Sequence, residues 1–536
     1  MKRNLNLLIG LIVLLSMILG ACAPAAAPAV EAPAAEAPAA EAPAATKAPA
    51  AEAPAVEAPV VDTLEKPIVV AGPADVATLD PHKFNGMFTR SVGFWIFDVL
   101  VMNGADGTPM PELAKEWTRV DPNTWEFKLV DNATFHNGEP FNADAVIFSF
   151  ERMQSENFKK FNALFYETPF QEVKKIDDYT IQIITSEPFN DLLWYLGRTF
   201  IVAPGYYASL SEDDAAIKPV GTGPFKFVEW VKDDHLTVEA NPDYFQGAPA
   251  IQKAMVKVIP EASQRLNELT TGNVDLITNL SADLAEQANS ENSRLVPYQS
   301  LRKMHLSYQF KNEYFANPKV REALQYAIDR QTIIDTLLGG ATQPLQAIVN
   351  PPSSSPDTQP FTYDVEKAKA LLAEAGYPDG FEFTLQTTAG GFGNDKEVAQ
   401  LLAQDLENIG LTVNLEVIEE NNLWELLETH DHPGLMYLGL GTYQLPVKEL
   451  NTFYSTDIDN AGNYVSAEYD AVVDAIKVET DEAKRMELIY QAQDILWTDM
   501  PWLYLWRLPA FQGQSNRFEL APYYDGYIDI WQAVLK

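Results

Sequence analysis

The sequence is poor in three things, and each shortage removes a class of protein. Cysteine occurs once in 536 residues. No disulfide can form within the chain, so stability has to come from cores large enough to stand without staples, and the length allows about two to three packing units. Basic side chains are few: Lys and Arg number 38 against 75 Asp and Glu, a formal net charge of -37. Binding nucleic-acid phosphates needs a basic surface, so no nucleic-acid partner is expected; the acidity reads as solubility, with attraction of a cationic solute a lesser term. Catalytic signatures are missing too. There is no GxxxxGK[ST] phosphate loop, no H-E-x-x-H and no G-x-S-x-G, so neither an enzyme activity nor a cofactor is expected.

What is present begins at the first residues. Lys2 and Arg3 precede an apolar run from Leu5 to Gly20, and Leu19-Gly20-Ala21-Cys22 places small residues before the only cysteine. That is the layout of a signal peptide, 1–22. The run is shorter than the roughly 20 residues of a spanning helix, with a retained anchor helix as the alternative. Leu19 to Cys22 resembles the lipobox of bacterial lipoproteins, which makes Cys22 the lipid-attachment residue and the mature chain extracytoplasmic, lipid-anchored to the bacterial cell membrane. From 23 to 62 the chain is Ala/Pro/Glu repetition, too poor in core-forming side chains to fold; it reads as a disordered linker between lipid and body.

The composition changes at Lys66-Pro67-Ile68-Val69-Val70, an apolar run suited to a first strand. Trp125, Phe127 and Leu129 alternate as on a half-buried strand, Asn137-Gly138 is a hairpin signal, and Asn142 precedes a helix carrying Val146 and Phe150. Tyr179 to Thr185 reads as a strand. Phe225 and Phe227, the Lys232-Asp233-Asp234 turn, then Leu236 and Val238 read as an antiparallel pair. Asn317-Pro318 starts a helix expected to end near Gly339, and Asp364 to Ala375 forms another, stopped by Gly376. Phe381 to Leu385, a helix striped by Val398, Leu401, Leu402 and Ile409, and Leu411 to Val417 make a βαβ unit, hence a parallel pair.

Longer blocks carry a resemblance. Thr78-Leu79-Asp80-Pro81-His82, the run Pro111-Glu112-Leu113-Ala114-Lys115-Glu116-Trp117 continuing to Phe135-His136-Asn137-Gly138-Glu139-Pro140-Phe141, then Gly221-Thr222-Gly223-Pro224-Phe225, Asn241-Pro242-Asp243-Tyr244-Phe245 and Asn317-Pro318-Lys319-Val320-Arg321 stand in one order along the chain. In these the chain resembles the peptide, opine and nickel solute-binding proteins of bacterial ABC importers, family 5. The resemblance implies an α/β, two-lobed periplasmic-binding-protein-like (Venus-flytrap) fold with an extra subdomain in the first lobe. It implies a first lobe at 63–300 completed by 508–536, a subdomain at about 101–205 and a second lobe at 301–507. Closure of the lobes around a solute would then be conformational binding.

The implied partners are a small-molecule or peptide ligand, an ABC permease with separate ATPases, and the membrane through the lipid anchor; a monomer is expected. An oligopeptide or similar-sized polar solute is the leading cargo, with an oligosaccharide or opine binder, or a sensory receptor, as alternatives. Peptide-binding relatives commonly carry a W-x-G-D-type aspartate that pairs with the ligand ammonium. Here the matching stretch is Tyr437-Leu438-Gly439-Leu440-Gly441-Thr442-Tyr443-Gln444, without tryptophan or aspartate. Tyr443 and Gln444 either offer stacking and amide hydrogen bonds to the solute or form an ordinary loop.

Tyr308 and Gln309 stand where relatives often have Phe-Asn. Asn85, Met87 and Phe88 stand where relatives line the pocket, and Trp424 completes the expected ligand contacts. Two metal readings are weaker. His430-Asp431-His432 has ligating side chains but no distant partners. Asp457, Asp459, Gly462 and Glu468 follow the spacing of a calcium loop, but Ala461 stands where an oxygen is needed.

Overall fold

The computed structural model describes residues 66–536 apart from 85, 105, 106, 166, 167, 390, 441–443, 458, 524 and 525. The leader, the linker, Cys22, Asn85 and Tyr443 therefore lie outside the described residues.

Two long strands organise everything else. Ser293–Tyr308 and Trp502–Ser515 run antiparallel over almost their whole length. Their outer ends pair with different neighbours. Gly513 and Gln514 lie beside Leu276–Ile277, whereas Lys303 to Tyr308 lie beside Leu435–Leu440. One sheet of ten strands results, with a separate set of elements packed around each end.

On one side the order continues through Leu276–Ile277, Ile68–Gly72, Lys253–Val258, His235–Ala240 and Phe225–Val231. Ile68–Gly72 is buried along its whole length and parallel to both neighbours, as a strand covered on both faces should be. On the other side Leu435–Leu440 and Thr412–Val417 flank Glu382–Thr387, both parallel to it. Helix Asp395–Asn408 makes the crossover, so the expected βαβ unit is present.

The cores separate in the same way. One set of buried side chains draws on residues before Ser293 and after Ser515, with Phe127, Phe150, Phe200, Phe225 and Ile530 among them, and takes Leu445 alone from the stretch between the crossings. The other draws on the chain between the two crossings, with Leu306, Leu324, Leu402, Leu438 and Trp506. Within the first, four antiparallel strands, Ala114–Asp121, Thr124–Leu129, Thr180–Thr185 and Phe170–Asp177, form a sheet of their own. Phe127, Leu129, Ile181 and Ile183 are its buried residues; they share a core with Val146, Phe150 and Met153 of helix Ala143–Gln154. Asn142 caps that helix by accepting from the N–H groups of Asp144 and Ala145, which satisfies two donors the helix leaves open.

Two expectations need correction. The helix expected from Asn317 to near Gly339 is two helices, Pro318–Ala327 and Arg330–Leu337. Ile328 is extended, Asp329 caps the second helix through Thr332 N–H, and Arg330 Nη1 donates to the carbonyls of Gln325 and Ile328. The arginine thus satisfies carbonyls that the break exposes, which an unbroken apolar stripe does not reveal. Asn137-Gly138 turns the chain with Gly138 at φ 87, but only an isolated bridge between Thr134 and Pro140 flanks it. Pro140 has no N–H with which to extend a ladder.

The first core also holds three carboxyl groups. The Tyr244 hydroxyl lies 3.1 Å from Asp98 Oδ1 and 3.0 Å from Glu112 Oε1, and one proton cannot serve both oxygens fully. Burial is the main cause that lifts the carboxyls of Asp98 and Asp529 to about 6 and that of Glu112 well above its usual value. The folded protein thus keeps protons that the unfolded chain releases above about pH 4. Stability from these groups is present at low pH and lost as pH rises through about 6. Asp98→Asn keeps an oxygen for Tyr244 and should remove Asp98's share of that loss, on the order of 2 kcal/mol between pH 4 and 7. Thermal unfolding of variant and parent at pH 5 and 7.5 reads the difference; identical pH slopes would contradict it.

Candidate functional site

The two crossings leave a cleft whose walls come from both sides. Between Gln299 and Lys303 the register of the long strands slips, and Pro509 stands opposite Gln299. Ser300 Oγ donates to the Leu508 carbonyl across the slip. A proline without an N–H and an interrupted ladder make this the place where the paired strands can bend.

Two adjoining chambers, of about 640 and 340 Å³, are lined from both sides. They share Tyr195 from one side and Lys448 from the other. Tyr195 sits on the short helix Leu192–Leu196, 7% exposed, edge-on to Trp194 at 5.0 Å and beside Phe189 at 5.6 Å. Asn103 Nδ2 donates to the Trp194 carbonyl and fixes that turn. In the smaller chamber Met87 and Arg90 lie in the first turn of helix Met87–Ile96. Arg90 Nη1 donates to the Arg198 carbonyl at 3.0 Å, and the Arg198 guanidinium lies over Trp194, 4.3 Å from the ring centre.

Lys448 is positioned by its neighbour. On helix Pro446–Asn451, Glu449 turns inward and pairs with Lys303, both side chains 1% exposed. Asn350 donates to the same carboxylate through its backbone N–H and its amide. Burial pushes the Lys303 ammonium down and the Glu449 carboxyl up, each opposed by the charge of the other. Consecutive helical residues point about 100° apart, so anchoring Glu449 in the core leaves Lys448 at the cleft. The larger chamber adds Asp457, Asp459 and Lys477. Asp457 Oδ1 accepts from the N–H of Asp459, and burial together with the Asp457 charge raises the Asp459 carboxyl.

Of the residues singled out in the sequence, Met87 lines the smaller chamber. Gln444 touches the opposite side: a Cβ on Gly107 would lie 3.3 Å from Gln444 Cβ. Phe88 instead covers the end of the first strand, where a Cβ on Gly72 would come within 2.4 Å of its ring. Tyr308 is wholly buried beside Phe315. Gln309 donates to the His430 carbonyl and accepts from Asn463. The structure packs these two inside the second half, because they stand at the end of the strand, several residues past the slip at Gln299 to Lys303. Trp424 is 38% exposed on helix Glu420–Thr429, its indole 3.4 Å from Glu420, and both chambers are built without it.

Sequence reading missed Tyr195, Lys448, Asp191 and Arg485, which carry no motif. Their alternation with core residues, as in Lys448 beside Glu449, was the only signal available. His430 Nδ1 lies 2.8 Å from the Asn460 carbonyl, and among the described residues no group of three or more His, Cys, Asp or Glu is arranged to hold a metal ion. No helix among the described residues is long and apolar enough to cross a membrane.

A two-lobed α/β body with a subdomain on the first lobe and a cleft lined from both lobes is the architecture of an extracellular solute-binding protein. The match to known proteins is specific. Residues 108–461 fit the family described as bacterial extracellular solute-binding proteins, family 5 Middle, and the chain belongs to that family. It is 30% identical over 430 residues to heme-binding protein A of Haemophilus influenzae, covering 73% of this chain and 78% of that protein. It is 26% identical over 485 residues to di/tripeptide-binding protein 2 of Pseudomonas aeruginosa, covering 84% and 91%. The solved structure of HbpA2 from Haemophilus parasuis superposes with a TM-score of 0.81 at 23% identity, over 88% of this chain and all of that one. Family members of this kind bind small molecules or peptides outside the cytoplasm and work with ABC permeases.

Removing one member of the buried pair tests how Lys448 is held. Lys303→Met leaves the Glu449 carboxylate without its counter-charge and should cost about 3–5 kcal/mol in urea unfolding. Adding Glu449→Gln to that variant should recover most of the loss. Equal losses in the single and double variants would show that the charge pair is not the cause.

Proposed function

We propose that this chain captures an oligopeptide, or a polar solute of similar size, between its two lobes and delivers it to the permease of an ABC importer whose ATPases are separate polypeptides. The observation that carries this reading is the pair of chambers joined at Tyr195 and Lys448, one residue from each lobe. A solute touching both residues stabilises the arrangement in which they face each other, which is what coupling capture to closure requires. The lining presents aromatic rings, Lys448 and Lys477, and the carboxylates of Asp457 and Asp459, so both charges of a peptide find partners.

The lobes are taken as 63–300 with 508–536 and 301–507, with the subdomain at about 101–205. Met87 and Gln444 are assigned to the solute with Tyr195 and Lys448. Cys22 is taken as the lipid attachment site, and 23–62 as a tether that lets a monomeric receptor reach its permease.

Thermal-shift panels of peptides, amino-acid conjugates and oligosaccharides read the cargo class, because a ligand in large excess raises the melting temperature by linkage. Peptides should stabilise the protein, and Lys448→Ala should weaken that binding by about tenfold. Stabilisation by oligosaccharides alone would end the peptide reading. Cys22→Ser should move the protein from the membrane fraction to the soluble one in fractionated cells, and unchanged partition would remove the lipid anchor.

A further inference from the structure

One wall of the larger chamber is made by the two lobes gripping each other. Asp191 Oδ1 lies 2.6 Å from Arg485 Nη2, with the side chains 14% and 9% exposed. One residue earlier, Asn190 is held from both sides. Its Oδ1 accepts from Arg119 Nη1 at 2.7 Å, and its Nδ2 donates to the Glu479 carbonyl at 2.7 Å. Arg119, Asn190 and Asp191 belong to the first lobe. Glu479 follows helix Ala467–Val478 and Arg485 lies in helix Glu482–Asp499, both in the second. Asn190, Asp191 and Arg485 all line the chamber.

Asp191 is the carboxylate in direct contact with Arg485. Arg119 sits close enough to Arg485 that burial and then the Arg485 charge depress its pKa, opposed by Glu482 and Asp121. Removing Asp191 would take away the contact partner of Arg485 and leave the mutual repulsion of the two guanidinium groups offset only by Glu482 and Asp121. Because the pair is largely buried, salt screens it less than a surface pair.

Resting on the capture reading above, we infer that the Asp191–Arg485 and Asn190–Glu479 contacts are a size gate: they close one end of the chamber, so the solute has to end inside it. The protein then takes a short, peptide-like zwitterion with both termini in the cleft, in preference to a long peptide that runs through. The chambers, about 640 and 340 Å³, fall within the range of about 300–1,000 Å³ that encloses compact ligands. Charges of both signs line the larger one: Lys477 meets Asp474 at 3.2 Å and the Lys448 charge acts on Asp459, so the termini of a zwitterion would share these partners inside the wall.

The test equilibrates the dialysed protein with an equimolar mixture of di-, tri-, hexa- and nonapeptides of matched composition, spiked with neutral oligosaccharides. Native mass spectrometry then reads the masses retained. The parent protein should hold di- and tripeptides at least about tenfold over nonapeptides. Asp191→Ala and Arg485→Ala should each raise the share of long peptides among those retained by about tenfold, and a cooperative thermal transition shows that each variant is folded. The exchanged pair, Asp191→Arg with Arg485→Asp, should restore the short preference.

Equal retention of all lengths by the parent, or an unchanged length profile in both single variants, would overturn the gate while leaving solute capture intact. Retention of oligosaccharides with no peptide would overturn the zwitterion assignment. Retention of nothing would bring down the capture reading and the gate with it.

Discussion

Everything in this structure depends on the antiparallel pairing of Ser293–Tyr308 with Trp502–Ser515. This ladder joins the two halves of the ten-stranded sheet among the described residues, and both passages of the chain between the halves lie within it. A loop connection would leave the lobes free to drift, whereas paired strands fix their twist and allow bending only where the ladder is broken. The wider break lies between Gln299 and Lys303, opposite Pro509, and a second irregularity follows between Met304 and His305. The cleft is therefore a consequence of the strand pairing before it is a property of the residues that line it.

The lining follows from residues that work in opposite directions along a few positions. Glu449 is buried against Lys303 so that Lys448 reaches the cleft. Asn103 holds the turn at Trp194, next to Tyr195. Carboxylates outnumber basic groups by nearly two to one over the whole chain, yet the shared contact of the two chambers is a lysine.

Much of the fold could be read from the sequence where the signal is local. The helix after Asn142, the hairpin around Asp233 and the parallel pair Glu382–Thr387 and Thr412–Val417 each follow from periodicity and caps within a dozen or so residues. The break at Ile328 was not legible, because it is made good by Arg330 reaching carbonyls on its own chain and the Tyr504 carbonyl on another strand. The site was legible only in part. Met87 lines the smaller chamber, whereas Tyr308 and Gln309, singled out by their departure from a family pattern, are buried. Lys448, Asp191 and Arg485 acquire meaning only when segments hundreds of residues apart meet.

The early part of the first core is tied to a segment far along the sequence. Trp95 donates its indole N–H to the Ile528 carbonyl, and Ser91 Oγ accepts from the N–H of Ile528. Trp95 and Ile528 stand 433 positions apart, yet the helix tied down in this way carries Met87 and Arg90 into the smaller chamber. Loosening the late segment would therefore be felt as a displaced wall of the site.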